Sequence, residues 1–229
     1  MKIFLSIIIF TLVISRAFAQ PYKTIKTYKP YNWMVGVSWS AIDDDGRPFN
    51  ALFNVPNWNY EMYPTRLSVD KYFKYGWSLE GVATYTNYLG GKLVNGKLEA
   101  SGAFFSFDVN GKYSFYNQYA PKARWIDPYF TFGLGYTYRS NAFTENHIPN
   151  LNLGFGINFW IAKGFGIQIH SNAKFGVYPR FWNTNTNYLQ HSLGIVYRWG
   201  EGSIENSPND KKRYKWTKDK QRHKTKTGH

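Results

Sequence analysis

Residues 127–139 read DPYFTFGLGYTYR, and this stretch decides the fold class. Large and small side chains alternate in it: Phe130, Phe132 and Leu134 fall on one face, and Thr131 and Gly133 fall on the other. A period of two residues is typical of a β-strand whose faces meet different surroundings. The stretch therefore predicts a strand with one apolar face and one small or polar face.

The same alternation occurs eight times along the chain. It covers residues 33–40, 65–73, 77–88, 105–115, 129–139, 151–160, 167–174 and 189–199. Long polar connections, at 43–63, 89–102, 140–150 and 180–187, alternate with shorter ones at 74–76, 117–126 and 162–164. An even, up-and-down series of such strands predicts a closed antiparallel barrel over residues 31–200.

The two faces of these strands indicate which solvent each one meets. An eight-stranded lumen is narrow enough to be filled by side chains, so the face rich in Gly and Ser suits the interior. The other face is almost entirely aromatic or branched and suits lipid, whereas a soluble barrel such as a lipocalin would turn it inward. Aromatic girdles of a membrane barrel are expected from Trp and Tyr near the strand ends. These are Trp33, Trp39, Trp77, Tyr85, Tyr88, Tyr113, Tyr138, Trp160, Tyr197 and Trp199. The sequence thus predicts an all-β, eight-stranded antiparallel up-and-down transmembrane β-barrel in the cell outer membrane.

The N-terminal segment predicts export. Residues 1–19, MKIFLSIIIFTLVISRAFA, join a basic Lys2 to an apolar stretch and an Ala17-Phe18-Ala19 cleavage pattern, as in a signal peptide. The alternative, a membrane anchor, is disfavoured because the apolar stretch has only about a dozen residues. Residues 20–30 then form a lead-in to the barrel.

The positive charge belongs mainly to the C-terminal segment. The 229-residue chain has no Cys, 20% aromatic residues and a formal net charge of +14, which excludes a disordered chain and a disulfide-stapled domain. Residues 201–229 predict a disordered, basic periplasmic tail. Its cations are Lys211, Lys212, Arg213, Lys215, Lys218, Lys220, Arg222, Lys224 and Lys226. An acidic envelope partner and a merely solvated extension both remain open, and nucleic acid is not expected in that compartment.

Eight charged residues fall on the polar face of the strands. They are Arg66, Asp70, Glu80, Asp108, Lys112, Arg139, Lys174 and Arg198. Because a lone buried charge is costly, these side chains are expected to form ion pairs across the lumen. A structural plug of ion pairs is favoured over the alternative, a narrow selective pore.

The last strand carries a short pattern of polar, Gly and aromatic residues. Its members are Ser192, Gly194, Tyr197 and Trp199. This pattern resembles the terminal-strand signal that the outer-membrane barrel assembly machinery recognises, and an alternating edge strand can add to another sheet edge. The assembly machinery is therefore an expected partner, together with outer-membrane lipid.

Several segments in order resemble one family. PTRLSV (64–69), GWSLE (76–80), FSFDV (105–109), DPYFTFGLGY (127–136), NLGFGINFW (152–160) and QHSLG (190–194) are similar to strands of the OmpA-type eight-stranded barrels of Bacteroidota, a Gram-negative group. The resemblance implies an outer-membrane protein. Family members commonly continue into a peptidoglycan-binding domain, but the roughly 30 residues after the last strand are too few for one. Peptidoglycan anchoring is therefore not expected.

The sequence offers little for catalysis, which makes a non-enzymatic role the expectation. A lipid-modifying enzyme, the alternative, needs a nucleophile and a base on the same side of the wall. The pairs His170-Ser171 and His191-Ser192 are sequence neighbours, so on a strand their side chains point to opposite faces. His147 falls in the third long loop, near Thr144 and Glu145, without a defined geometry.

No cofactor or metal is expected either. The acidic run at 43–45 lacks the ligand spacing of a calcium loop and predicts a solvated turn. The aromatic segment 53–60 either recognises a partner or packs on the barrel rim. The sequence therefore predicts an integral outer-membrane barrel with a structural or interaction role. One form of that role is a subunit of a larger outer-membrane complex.

Overall fold

The computed structural model describes residues 29–45, 54–94, 98, 101–115, 125–140, 146–178 and 186–200. These residues form nine β-strands and one 3₁₀ turn at Val55–Asn57. The strands are β1 (Trp33–Asp43), β2 (Asn59–Tyr60), β3 (Arg66–Lys74), β4 (Trp77–Leu89), β5 (Ser101–Ser114), β6 (Ile126–Arg139), β7 (His147–Trp160), β8 (Phe165–Gly176) and β9 (Tyr188–Trp199).

Eight of the strands close into an antiparallel barrel. Consecutive strands pair from β3 through β9, and β1 pairs with both β3 and β9. The predicted fold class is therefore confirmed. The sequence did not reveal β2, a two-residue strand that pairs with Ala41 and Ile42 at the end of β1, beyond the last pairing of β1 with β3.

The two ends of the barrel differ in the length of their connections. At the turn end, Tyr75 and Gly76 join β3 to β4 with φ angles of 53° and 84°, and Gly164 (φ 87°) lies in the β7–β8 turn. Positive φ angles at both central residues are typical of tight hairpins. At the loop end the connections span 44–65, 90–100, 140–146 and 177–187. The turn-end connection at 115–125 is an exception, because it is as long as the one at 90–100.

Two strand starts differ clearly from the prediction: β5 begins at Ser101 instead of residue 105, and β7 also begins four residues early. The sixth predicted strand begins at residue 151, whereas β7 begins at His147 and pairs with β6 from there. Pro149 and Asn150 signal a break in the sequence. The ladder nevertheless continues through Pro149, whose carbonyl accepts a hydrogen bond from the Val177 backbone N–H.

The faces of the barrel follow the predicted alternation. Leu134 and Ile195 on the outer wall are 66% and 56% exposed, whereas Thr131 and Asn152 in the lumen are buried. Two predicted girdle residues are wrong: Tyr88 and Trp160 lie inside, because each occupies an inward position of its strand. Among the described residues no helix is long or apolar enough to cross a bilayer.

Candidate functional site

Four ion pairs join described residues in the lumen. They join Lys174 to Asp108 (2.7 Å), Lys112 to Asp70 (2.9 Å), Arg139 to Asp44 (3.0 Å) and Arg66 to Glu80 (3.8 Å). All eight side chains are at most 3% exposed. Such pairs tolerate burial only where the geometry and further hydrogen bonds are good. The first pair meets this condition best, because Lys174 also donates to Ser106 (3.2 Å) and Asn152 donates to Asp108 (3.0 Å).

Seven of the eight charged side chains singled out in the sequence belong to these pairs. The eighth, Arg198, lies half-buried at the turn end, with its guanidinium 3.8 Å from the centre of the Trp160 ring. The partner of Arg139, however, comes from the run that predicts a solvated turn. That prediction is wrong for Asp43 and Asp44, which are both fully buried.

Asp44 is held just beyond the end of β1. Its carboxylate pairs with Arg139 and accepts a hydrogen bond from the Tyr88 hydroxyl at 2.9 Å. Burial nevertheless raises the pKa of Asp44 from 3.8 to about 6, because the loss of water outweighs the attraction of Arg139 and the hydrogen bond from Tyr88. The sequence contains no periodic signal for this position, since it falls after the strand.

A polar network fills the space between the ion pairs. The Tyr31 hydroxyl donates to Asp70 (3.1 Å), and Gln190 donates to both Ser40 and Thr84 (2.9 Å each). A further buried carboxylate, Asp127, accepts hydrogen bonds from Ser114 and Asn158. The sequence reasoning missed Asp127, although its inward position could have been read from the alternation that opens β6.

Two buried apolar layers also lie in the barrel, one towards the turn end and one towards the loop end. The turn-end layer consists of Tyr31, Met34, Tyr72, Trp160 and Val196. The loop-end layer consists of Ile42, Tyr88, Val94, Phe104 and Tyr188. In the second layer Phe104 meets Tyr88 and Tyr188 edge to face, with ring centres 5.8 Å and 5.7 Å apart. The ion pairs reach into both layers: Arg139 is the cross-strand partner of Phe104, and Asp70 is the cross-strand partner of Met34.

Glycines on the inner faces of β6 and β7 make room for the large lumen groups. A Cβ atom added at Gly135 would lie 2.1 Å from the Asp108 carboxylate, and one added at Gly156 would lie 2.3 Å from the Tyr129 ring. Both distances are far below van der Waals contact. The glycine-rich face of the sequence therefore reflects close packing inside the barrel.

A serine and a histidine meet on the outer wall towards the loop end. Ser171 and His191 are cross-strand partners, and the Ser171 hydroxyl lies 2.9 Å from His191 Nδ1. Sequence reasoning compared only adjacent residues and missed this pair. Trp58 stacks on His191 with ring centres 4.4 Å apart and donates to Asp43 at 3.2 Å. The described part of the aromatic segment, residues 54–60, therefore packs on the barrel, as one of the two alternatives expected.

The Ser171–His191 pair lacks other parts of a hydrolytic site. β8 is hydrogen-bonded to β7 on one side and to β9 on the other, so the backbone N–H groups around Ser171 are engaged in the sheet. An oxyanion needs donors aimed at it. The prediction that His147 lies in a loop is wrong, because it begins β7 and its Nδ1 is hydrogen-bonded to the Tyr136 hydroxyl. No group of three metal-ligating side chains occurs in the described ranges.

The four residues of the terminal-strand pattern divide between the two faces of β9. Ser192 and Gly194 face the lumen, whereas Tyr197 and Trp199 face outward with their rings stacked 5.9 Å apart. β9 is paired on both sides, with β8 and β1, so it has no open edge in the closed barrel. The predicted signal peptide, most of the predicted lead-in, residues 144 and 145, and the predicted basic tail lie outside the described residues.

Of the comparisons with known proteins, the one with solved structures finds similar proteins, and these are β-barrels. No family model matches the chain, and no curated protein matches its sequence. The N-terminal β-barrel domain of Pseudomonas aeruginosa OprF is 11% identical, with a TM-score of 0.48, over 75% of this chain and 99% of that one. OprG from the same organism is 11% identical, with a TM-score of 0.47, over 77% and 99%. Ail of Yersinia pestis is 15% identical, with a TM-score of 0.42, over 73% and 96%.

Proposed function

We propose that this protein is an integral outer-membrane barrel with a sealed lumen and a structural or interaction role. The observation that carries the proposal is the reversed distribution of side chains: the outer wall is apolar, and the buried interior is ionic. A water-soluble barrel would bury its apolar face instead. Trp33, Trp39, Trp77 and Trp199, all 38–44% exposed on the outer wall, support a membrane position because amphipathic rings favour the interface.

Membrane insertion is tested by cell fractionation and heat-modifiable gel migration. The folded mature protein is expected in the outer-membrane fraction, with a mobility shift on boiling. Recovery of the folded protein from the soluble periplasmic fraction without detergent would contradict the proposal.

The sealed lumen distinguishes a structural barrel from a narrow pore. The buried apolar layers and ion pairs among the described residues support a lumen filled by side chains. Purified barrel in planar bilayers is therefore expected to show no stable single-channel conductance. Regular conductance steps that disappear on boiling would favour the pore instead.

The interaction role rests on the basic tail, which we propose to be a periplasmic tether to an acidic envelope component. Nine cations and one acid in the last 19 residues make a dense positive segment. Co-purification from solubilised membranes is expected to recover a stoichiometric partner, which truncation after Pro208 releases. Retention should weaken as salt shortens the screening length from about 10 Å at 0.1 M to about 3 Å at 1 M. Unchanged recovery with the truncated chain would refute the tether.

The terminal-strand pattern is proposed as an assembly signal that acts before the barrel closes. The closed barrel has no free β9 edge, so recognition by strand addition requires the open form. Tyr197 and Trp199 would then present large outward rings to the assembly machinery and afterwards to lipid.

Lipid-modifying catalysis is the second candidate, favoured only by the Ser171–His191 contact. The engaged sheet and the Trp58 ring over His191 argue against it. We therefore expect lipid A from cells that carry Ser171→Ala to match the wild type in a mass spectrum. A lost acyl modification in that variant, with normal barrel insertion, would establish the enzyme.

A further inference from the structure

Two lysines converge on one amide oxygen at the turn end of the outer wall. Lys71 Nζ lies 2.7 Å and Lys29 Nζ lies 3.2 Å from Asn32 Oδ1. The two ammonium groups are therefore at most about 6 Å apart. The ion pairs found among the described residues involve neither lysine. A neutral amide oxygen does not compensate two neighbouring positive charges, so the site favours an added anion.

The position of this lysine pair is fixed by the barrel. The Asn32 backbone N–H donates to the Trp199 carbonyl (2.8 Å), and the Asn32 carbonyl accepts from the Tyr72 N–H (3.2 Å). Asn32 is thus held between β9 and β3, and its side-chain amide is presented beside the wall. The same amide carries two N–H donors on its nitrogen. The barrel therefore holds the backbone of the residue on which both lysines converge.

Lys71 breaks the apolar pattern of the outer face of β3. Its cross-strand partner is Trp33, and Lys71 Nζ lies 4.3 Å from the centre of the Trp33 ring. Trp33 in turn pairs with Trp199 on β9. A lysine beside interfacial aromatic rings can lay its stem along apolar surface while its ammonium group remains at headgroup level.

We propose that Lys29, Asn32 and Lys71, with Trp33, form a binding site for the phosphate of an anionic phospholipid headgroup. Lysine binds phosphate as a point charge, and the amide nitrogen supplies further donors. The site faces outward at the level of the aromatic rings, where a lipid headgroup would lie. This inference rests on the proposed membrane location. At that location the turn end faces the periplasm, so the bound phospholipid belongs to the inner leaflet of the outer membrane.

The test uses the full mature protein, folded in detergent micelles, with each variant's fold checked by heat-modifiable migration. Native mass spectrometry would count retained phosphatidylglycerol against phosphatidylcholine of the same chain length. A basic residue near an anionic surface contributes about fivefold in binding, so Lys29→Gln or Lys71→Gln should each lower the preference about fivefold, and the double variant roughly 25-fold. Lys74→Gln is the matched control, because Lys74 lies at the same strand end with its Nζ 5.7 Å from the Tyr75 ring centre. It should change the preference less than about twofold.

Three results would overturn the site. These are an unchanged preference in the folded double variant, an equal loss in Lys74→Gln, and displacement of the lipid by millimolar inorganic phosphate, which would indicate a free-anion site. Because binding is measured in micelles, a wrong membrane location would appear separately in cell fractionation, with the lipid preference intact.

Discussion

Replacement of Lys174 by methionine should destabilise the barrel more than most single changes in the wall. Lys174 is fully buried and reaches across the lumen from β8 to Asp108 on β5. Its ammonium group donates to both carboxylate oxygens, at 2.8 Å and 2.7 Å, and to Ser106 at 3.2 Å. Methionine keeps most of the volume and removes the charge and all three donors. Asp108 then retains Asn152 as its remaining described partner.

The expected cost follows from the charge left behind. Removal of one partner from a buried ion pair costs about 3–5 kcal/mol, because the other ion stays desolvated and uncompensated. The double variant Lys174→Met with Asp108→Asn removes both charges and should recover about 2–4 kcal/mol of the summed single costs. The Arg66–Glu80 pair is the matched control. Its atoms are 3.8 Å apart against 2.7 Å, so its coupling should be about 0.7 times as large.

The assay is equilibrium unfolding in urea from lipid vesicles, followed by tryptophan fluorescence. Gel mobility without boiling serves as a second probe, and coincident transitions justify a two-state free energy. A cost below about 1 kcal/mol for Lys174→Met, with no coupling to Asp108, would refute the reasoning. It would mean that water enters the lumen and solvates the remaining carboxylate.

Three further predictions concern the seam, the last strand and the loop end. Gly194→Ala should lower barrel stability by more than about 1 kcal/mol in the same urea assay, because the added Cβ would lie 2.3 Å from Ser38 Cβ across the β1–β9 seam; wild-type stability would contradict this. Tyr197→Ala with Trp199→Ala should reduce the yield of membrane-inserted protein, whereas Trp58→Ala should not, and equal yields would count against the assembly signal. The Asp44 carboxyl has a raised pKa of about 6, so it should subtract up to about 3 kcal/mol of stability as pH rises from 4 to 6, and Asp44→Asn should flatten that slope.

The sequence predicts the barrel well because its decisive signal is local. Alternation within one strand assigns each side chain to a face without knowledge of any partner strand. Even the inward position of Trp160 follows from the alternation, whereas its prediction as a girdle residue rests on its place at the strand end and is wrong. A position at a strand end is typical of girdle aromatics, but the alternation along the strand decides whether a side chain points to lipid or into the lumen.

The contacts inside the lumen could not be predicted, because they depend on which strands face each other after closure. Lys174 and Asp108 are 66 residues apart, and Arg66 and Gln168 are 102 residues apart. Asp44 and Ser171 illustrate the same limit at the loop end. Asp44 follows the last residue of β1, where the alternation ends. Ser171 contacts His191 because of the register between β8 and β9. Without a structure the register is undetermined, and a shift of one residue reverses every face.

The cross-lumen contacts also indicate why an incompletely closed barrel is disfavoured. Lys112 on β5 reaches Asp70 on β3, and Gln190 on β9 reaches Thr84 on β4, so neither contact joins neighbouring strands. In an open sheet such groups have no partner, although water can still solvate them. Closure removes that water, and each charge then depends on a counter-charge from a distant strand. Loss of water and formation of the pairs must therefore occur together, which makes the correct strand register a condition for the burial of the lumen.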